Sequence, residues 1–269
     1  MQRVKGIFQR STAALIGIVL LVSLLTPEPA TADFHSDGVL RRVRVPVLMY
    51  HYVSNPPHDS DVYRLDLSVT PANFRQQLQW LKDHDYQSIT PDDMAAALLH
   101  GRRLPDRPML LTFDDGYADA YDNAFPLLRE FGFKGTFFIV TSWLDENRPG
   151  YLTWAQVKDM TDAGMSIQSH SRTHHDMRNH DHDWLVYEIL GPMQTIEAHT
   201  GARPMFFCYP AGDFDLNVVR ELRAAGVVAA FMTNDGTYDY SDDMLRLPRV
   251  RIRGSTSIAV FTDLIGWQR

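Results

Sequence analysis

Residues 108–119 read PMLLTFDDGYAD. An apolar run ends at two adjacent carboxylates, Asp114 and Asp115, followed by Gly116. A short apolar run bounded by turn residues reads as a strand buried on both faces. Two like charges at its end are costly to hold together. Either they cap a turn, with an aspartate as N-cap of a helix over YADAYDNAF (117–125), or a cation offsets them.

The rest of the chain repeats that strand. VRVPVLMYHYV (43–53), YQSIT (86–90), GTFFIV (135–140), SIQSH (166–170), MFFCYP (205–210), VVAAFMT (227–233) and LPRVRI (247–252) are runs of the same kind. Between them lie segments of helical period. Thr70-Pro71 opens one whose Phe74, Leu78 and Leu81 share a face, and Thr90-Pro91 and Thr153 open two more. Strands apolar on both faces, alternating with helices, give a parallel sheet. The number of units in this length predicts an α/β fold: a distorted or incomplete (β/α) barrel forming one domain over residues 43–269.

The N-terminus reads differently. Arg3, Lys5 and Arg10 precede an apolar stretch from Ala13 to Leu25, and Ala30-Thr31-Ala32 comes after it. That order predicts a secretory signal peptide over residues 1–32. The stretch is short for a bilayer span of about 20 residues, which disfavours an uncleaved anchor. Residues 33–42 read as a flexible tether. These readings imply an exported location, periplasmic or extracellular and associated with the cell envelope, with no stable membrane span after cleavage. Loss of three basic residues and Glu28 takes the formal net charge from −7 to −9. Such an acidic chain is a poor partner for nucleic acid. The single cysteine, Cys208, excludes an intramolecular disulfide and sits in an apolar run as a small buried side chain.

In a parallel β/α fold, function collects beyond the C-terminal ends of the strands. Those positions hold Tyr50-His51, Asp114-Asp115, His170 to Asp176, Tyr209 to Asp213, and Asn234-Asp235. In HSRTHH (170–175), two histidines four apart are expected to share a helical turn and converge on a metal. His170, His174 and one carboxylate of the 114/115 pair would make a two-histidine, one-carboxylate site that suits zinc. The other carboxylate, kept ionised by the ion, can act as a base.

TFDDG (112–116) followed by HSRTH (170–174) resembles the first two motifs of the NodB-homology polysaccharide deacetylases, carbohydrate esterase family 4. The resemblance covers most of the mature chain and is strongest between Pro108 and Pro210. It implies that Asp114 is the general base and that Asp115, His170 and His174 hold a divalent ion: zinc, or cobalt, nickel or iron. His175 is the competitor that the family spacing rejects. The family's R-P-P-Y-G motif is represented by CYPAG (208–212), without its arginine, and Arg249 is the replacement. The C-terminal histidine of the family is also missing, since no histidine comes after His199. VPVLMYHYV resembles the start of the poly-β-1,6-N-acetylglucosamine deacetylase branch, whose barrel looks circularly permuted, and this carries the general-acid role to His51. Ala211, through a backbone N–H nearby, and Tyr209 are expected to support the site. Tyr50, Tyr117, Trp154 and Tyr209 are expected to stack on sugar rings.

The resemblance thus implies removal of N-acetyl groups from N-acetylglucosamine units of an extracellular or cell-wall polysaccharide, a biofilm polymer first. Peptidoglycan, chitin oligomers and acetylated xylan are the alternatives within the family. A non-catalytic glycan-binding protein of the same fold is the alternative outside it.

Overall fold

A computed structural model describes residues 34–266, and the expected signal peptide lies outside them. The strands are β1 (Arg42–Arg44), β2 (Val47–Tyr50), β3 (Gln87–Ser88), β4 (Pro108–Phe113), β5 (Thr136–Ile139), β6 (Ser166–Ser169), β7 (Phe206–Cys208), β8 (Ala229–Asp235), β9 (Tyr238–Tyr240) and β10 (Leu247–Arg251). The helices are α1 (Val62–Leu67), α2 (Pro71–Asp83), α3 (Pro91–His100), α4 (Phe125–Phe131), α5 (Thr141–Asp145), α6 (Trp154–Asp162), α7 (His182–Thr200), α8 (Leu216–Ala224) and α9 (Ile258–Ile265).

The ring runs β2-β10-β8-β7-β6-β5-β4 and closes through β2–β4, with every pairing parallel. It is a seven-stranded (β/α) barrel. The first strand of the ring in sequence, β2, lies between the last, β10, and β4. β3 adds only a two-residue pairing at the start of β4. An apolar plug of Val47, Leu110, Phe138, Phe206, Phe231 and Leu247 holds one residue from each of six ring strands and fills the interior. The outer faces pack under helices, with Tyr50 and Phe113 edge-on to Phe74 of α2 and Phe137 stacked on Phe113.

Local chemistry sets the helix starts as the sequence predicts. Thr70 accepts from the Asn73 N–H, and Thr90 and Thr153 form reciprocal caps with Asp93 and Gln156. One turn departs from α geometry. Pro126 has no N–H to give the preceding turn, and Ala120–Ala124 widens into a π turn in which Phe125 N–H reaches Ala120 O.

Two expectations change. The run 43–53 is not one strand: Pro46 separates β2 from β1, which pairs antiparallel with β9 in a two-stranded ribbon. The expected tether over 33–42 is, from residue 34 on, fastened to the barrel. Phe34 packs on Phe206, Asp37 N–H bonds Leu99 O, and Arg41 reaches Asp37 and Leu99 O. Among the described residues no helix is long and apolar enough to cross a membrane.

Candidate active site

The pleat of β4 sends Thr112 and Asp114 into the barrel and Phe113 outward. Above the apolar plug, the interior therefore turns polar. Arg249 of β10 is fully buried and grips Asp114 with both arms: Nη1 to Oδ1 at 2.8 Å and Nη2 to Oδ2 at 2.7 Å. Nη1 also reaches Thr112 Oγ1 at 3.2 Å, and Nε donates to Met232 O at 2.8 Å. Between its pairings to Leu247 and Arg249 the β8–β10 register shifts, and Met232 falls within that irregular stretch. Burial works to raise the Asp114 carboxyl, but the charge and paired hydrogen bonds of Arg249 outweigh it and hold the group below the usual carboxylate range. Cys208 completes the cluster, its sulfur 3.6 Å from Asp114 Oδ2 and 3.0 Å from Arg249 Nη2. Burial pushes that thiol up, so it stays a neutral donor.

Asp115 takes the opposite direction from its neighbour because its backbone is left-handed, φ 71°. Gly116 comes next at φ 75°, where a Cβ would stand 3.2 Å from Ile139 Cγ2, so the turn lies close on the end of β5. Asp115 Oδ1 is 3.3 Å from His170 Nε2 and 3.3 Å from His174 Nε2. The three side chains offer ligand atoms within 4.8 Å of one another. His170 Nδ1 bonds Cys208 O at 2.7 Å, so Nδ1 carries a proton, and once Nε2 is deprotonated, as a metal ligand must be, its lone pair faces Asp115. Asp115 Oδ1 is buried with no hydrogen-bond partner. A tetrahedral ion with bonds of about 2.1 Å spaces its ligands about 3.4 Å apart. Spacing, tautomer and the orphaned oxygen all fit a divalent ion. Burial opposes charge on Asp115 as well, yet the two histidines hold its carboxyl well below the usual range.

The histidine segment is not the expected helical turn. Ser171 and His174 both adopt left-handed backbone, φ 66° and 61°. Ser171 Oγ accepts the His174 N–H at 2.9 Å, a side-chain bond that competes with helical pairing. His175 points elsewhere, with Nδ1 2.6 Å from Thr173 Oγ1, and is exposed.

His51 continues the inward parity of Met49, and its Nε2 lies 3.9 Å from Asp114 Oδ2. Its Nδ1 is buried without a partner. Burial pushes the imidazole down, against the pull of both aspartates. Parity also corrects two expected sugar-stacking residues. Tyr50 is fully buried outside the barrel, its hydroxyl on Gln77 Oε1 at 2.9 Å. Tyr209 is fully buried too, bonded to Leu245 O at 2.8 Å and stacked on Phe214, so its ring is closed to ligand. Trp154 stacks on His199 and donates to Asp145. Tyr117 stacks on Tyr52 at 3.6 Å, and the Tyr151 and Trp143 rings continue the row to His174. Ala211 stands exposed in the turn after β7 with φ 54°. The sequence reading missed the contact of Cys208 with the ion pair; its place at the end of an inward-facing strand was the available signal.

A sequence model of the polysaccharide deacetylase family matches residues 101–230, a span that holds Asp114, Asp115, His170 and His174. The chain carries a polysaccharide deacetylase domain. The NodB-homology fold and an enzymatic activity come with that domain. Among solved structures, the domain resembles the Streptococcus pyogenes deacetylase PplD in complex with acetate, at 26% identity and TM-score 0.77, over 84% of this chain and 100% of that one. The polysaccharide deacetylase BC0361 of Bacillus cereus is 29% identical with TM-score 0.74, over 84% of this chain and 70% of that one. The poly-β-1,6-N-acetyl-D-glucosamine N-deacetylase of Escherichia coli (strain K12) is 24% identical over an alignment of 240 positions that covers 74% of this chain and 36% of that protein.

Proposed function

We propose that this domain is a metal-dependent N-deacetylase acting on N-acetylglucosamine units of an envelope or extracellular polysaccharide, with poly-β-1,6-N-acetylglucosamine as the first substrate to test. One observation carries the reading: two adjacent buried aspartates have separate partners, Asp114 with Arg249 and Asp115 with His170 and His174. A glycan-binding protein has no need of a carboxylate fixed beside a metal triad. The linkage rests on the likeness to the E. coli enzyme and on MYH at residues 49–51.

Asp115, His170 and His174 would hold the ion, zinc by the donor set. When bound, a divalent cation supplies Lewis acidity toward the acetyl carbonyl and the attacking water. Asp114 accepts the water's proton. Arg249 keeps it ionised and fixes both oxygens, so the base is already aimed before substrate arrives. His51 approaches from β2 and protonates the departing amine. A backbone N–H around Ala211, beyond β7, supports the developing oxyanion. Charge separation across the site is thus built from the ends of four strands, β2, β4, β6 and β10, with His174 carried on the loop that follows β6.

We place the domain at residues 43–269, preceded by a cleaved signal, in the periplasm or outside the cell. The test is direct. Residues 33–269 loaded with zinc or cobalt are expected to release acetate and expose free amines on β-1,6-linked N-acetylglucosamine oligomers, with β-1,4-linked oligomers as the comparison. No release from either by metal-loaded protein removes the enzymatic reading. Release from the β-1,4 series alone replaces the linkage and keeps the chemistry.

A further inference from the structure

We propose that Glu188 is a positioning residue for the histidine loop: from α7 it clamps Arg172 and Thr173 and so sets where His174 stands relative to His170. The proposal rests on the reading of Asp115, His170 and His174 as a metal site.

The sequence position is unusual. The buried stripe of α7 is Leu185, Ile189, Pro192, Met193 and Ile196, and Glu188 falls within it at 1% exposure. A carboxylate in such a stripe is costly unless its oxygens are bonded. All three of its hydrogen bonds go to one segment. Oε2 accepts from Arg172 N at 3.0 Å and Thr173 N at 2.9 Å, and Oε1 accepts from Thr173 Oγ1 at 2.7 Å.

That segment links the two histidines and is intrinsically strained. His170 is fixed by β6, by its N–H to Ile139 O and by Nδ1 to Cys208 O. Four residues on, His174 is reached through left-handed backbone at Ser171 and again at His174 itself. The local bond from His174 N–H to Ser171 Oγ is joined by contacts from other elements. Arg172 O receives Ser142 N–H, and the two amides at the centre of the loop are both held by Glu188. Removal of the carboxylate leaves those two donors without an acceptor and releases the loop. Packing of α7 does not require a charged group, since a glutamine has the same shape. It differs in offering one acceptor oxygen, which can keep the two backbone N–H groups only while its NH2 donates to the Thr173 hydroxyl. The choice of a carboxylate is explained by the loop, and through the loop by the ligand geometry.

The experiment compares wild type with Glu188→Gln and Glu188→Ala, the glutamine variant guarding against a simple packing defect. In metal-free protein, amide exchange at Arg172 and Thr173 is expected to rise about tenfold or more in Glu188→Ala, and by less in Glu188→Gln, while protection in β4 and β6 is kept. Cobalt-loaded Glu188→Ala is expected to show a shifted visible spectrum, with Glu188→Gln closer to wild type. Zinc affinity, read by chelator competition, should fall about 10- to 100-fold, the usual range for a lost outer partner. Turnover should fall in kcat more than in KM. Wild-type protein that binds cobalt, paired with a Glu188→Ala variant of unchanged spectrum, affinity and amide exchange, overturns the clamp alone. Wild-type protein that binds no cobalt or zinc overturns the metal reading and the clamp with it.

Discussion

Asp114 and Asp239 are both buried carboxylates on the same framework, and they are held in opposite ways. Asp114 lies at the C-terminal rim of the barrel, where Arg249 meets both of its oxygens. Asp239 lies on the β1–β9 ribbon, paired across it with Val43, and is fully buried with neither oxygen hydrogen-bonded. Burial alone acts on Asp239 and pushes its carboxyl well above the usual range, whereas at Asp114 the neighbouring cation reverses the effect of burial. The barrel therefore accepts buried charge where a strand-borne partner exists and forces neutrality where none does. The contrast separates a group set up to remain a base from one kept as an acid.

The largest effects are expected at the rim. Asp114→Asn should lower turnover by about 10²- to 10⁴-fold, the range for loss of a general base, while bound zinc measured by metal analysis stays at wild-type level. Loss of the metal with the activity would mean that Asp114 is a ligand and that the two aspartates do not divide the work. Arg249→Met strands Asp114 without its cation. Chemical denaturation should show a loss of about 3–5 kcal/mol, the cost of breaking a buried pair by removing one partner. Asp114→Asn combined with Arg249→Met should recover part of that loss, which the paired geometry demands and a mere packing role for Arg249 would not produce. His51→Ala should reduce kcat about 100-fold with metal content intact. An unchanged rate in that variant would remove His51 from the reaction and leave the amine to be protonated by another group.

Most of the ring was legible because burial on both faces leaves a strong mark: LLTF, TFFI and FFC carry no polar alternation to mislead. Residues at strand ends were legible as well, since parallel topology sends them to one rim, and so Asp114, Asp115, His170 and His174 could be gathered from distant segments. Arg249 was reachable only through the family resemblance, as the candidate to stand in for the arginine missing from CYPAG. Three features were hidden. The β1–β9 ribbon was masked because Val43 belongs to the same apolar run as β2, and only Pro46 marks the break. The H-x-x-x-H spacing imitates a helical turn, while Ser171 bonds the backbone locally and Glu188 binds it from another element, neither of which periodicity records. Tyr50 and Tyr209 were misread as ligand-facing, although the parity of a pleated strand forbids it: if His51 and Cys208 face inward, their neighbours must face out.

The smallest effect is the one that tests the other side of the contrast. Asp239 has its pKa raised in the folded protein, so the stability it permits is fully present at pH below the unfolded carboxylate value of about 3.9. As pH rises from there, the unfolded chain releases its proton while the folded chain retains it, and stability is lost until the folded pKa is passed. Asp239→Asn should therefore match wild type near pH 4 and become progressively more stable than it toward neutral pH, in denaturant titrations at each pH. Asp239→Val, which suits a strand position beside Val43, should gain about 1–3 kcal/mol at pH 7 by removing an unsatisfied buried group. Turnover should be unchanged in both, because the ribbon carries none of the groups assigned to the reaction. A wild type whose stability does not fall relative to Asp239→Asn between pH 4 and 7 would mean that Asp239 has found a partner, and that the barrel compensates its buried charge at both places.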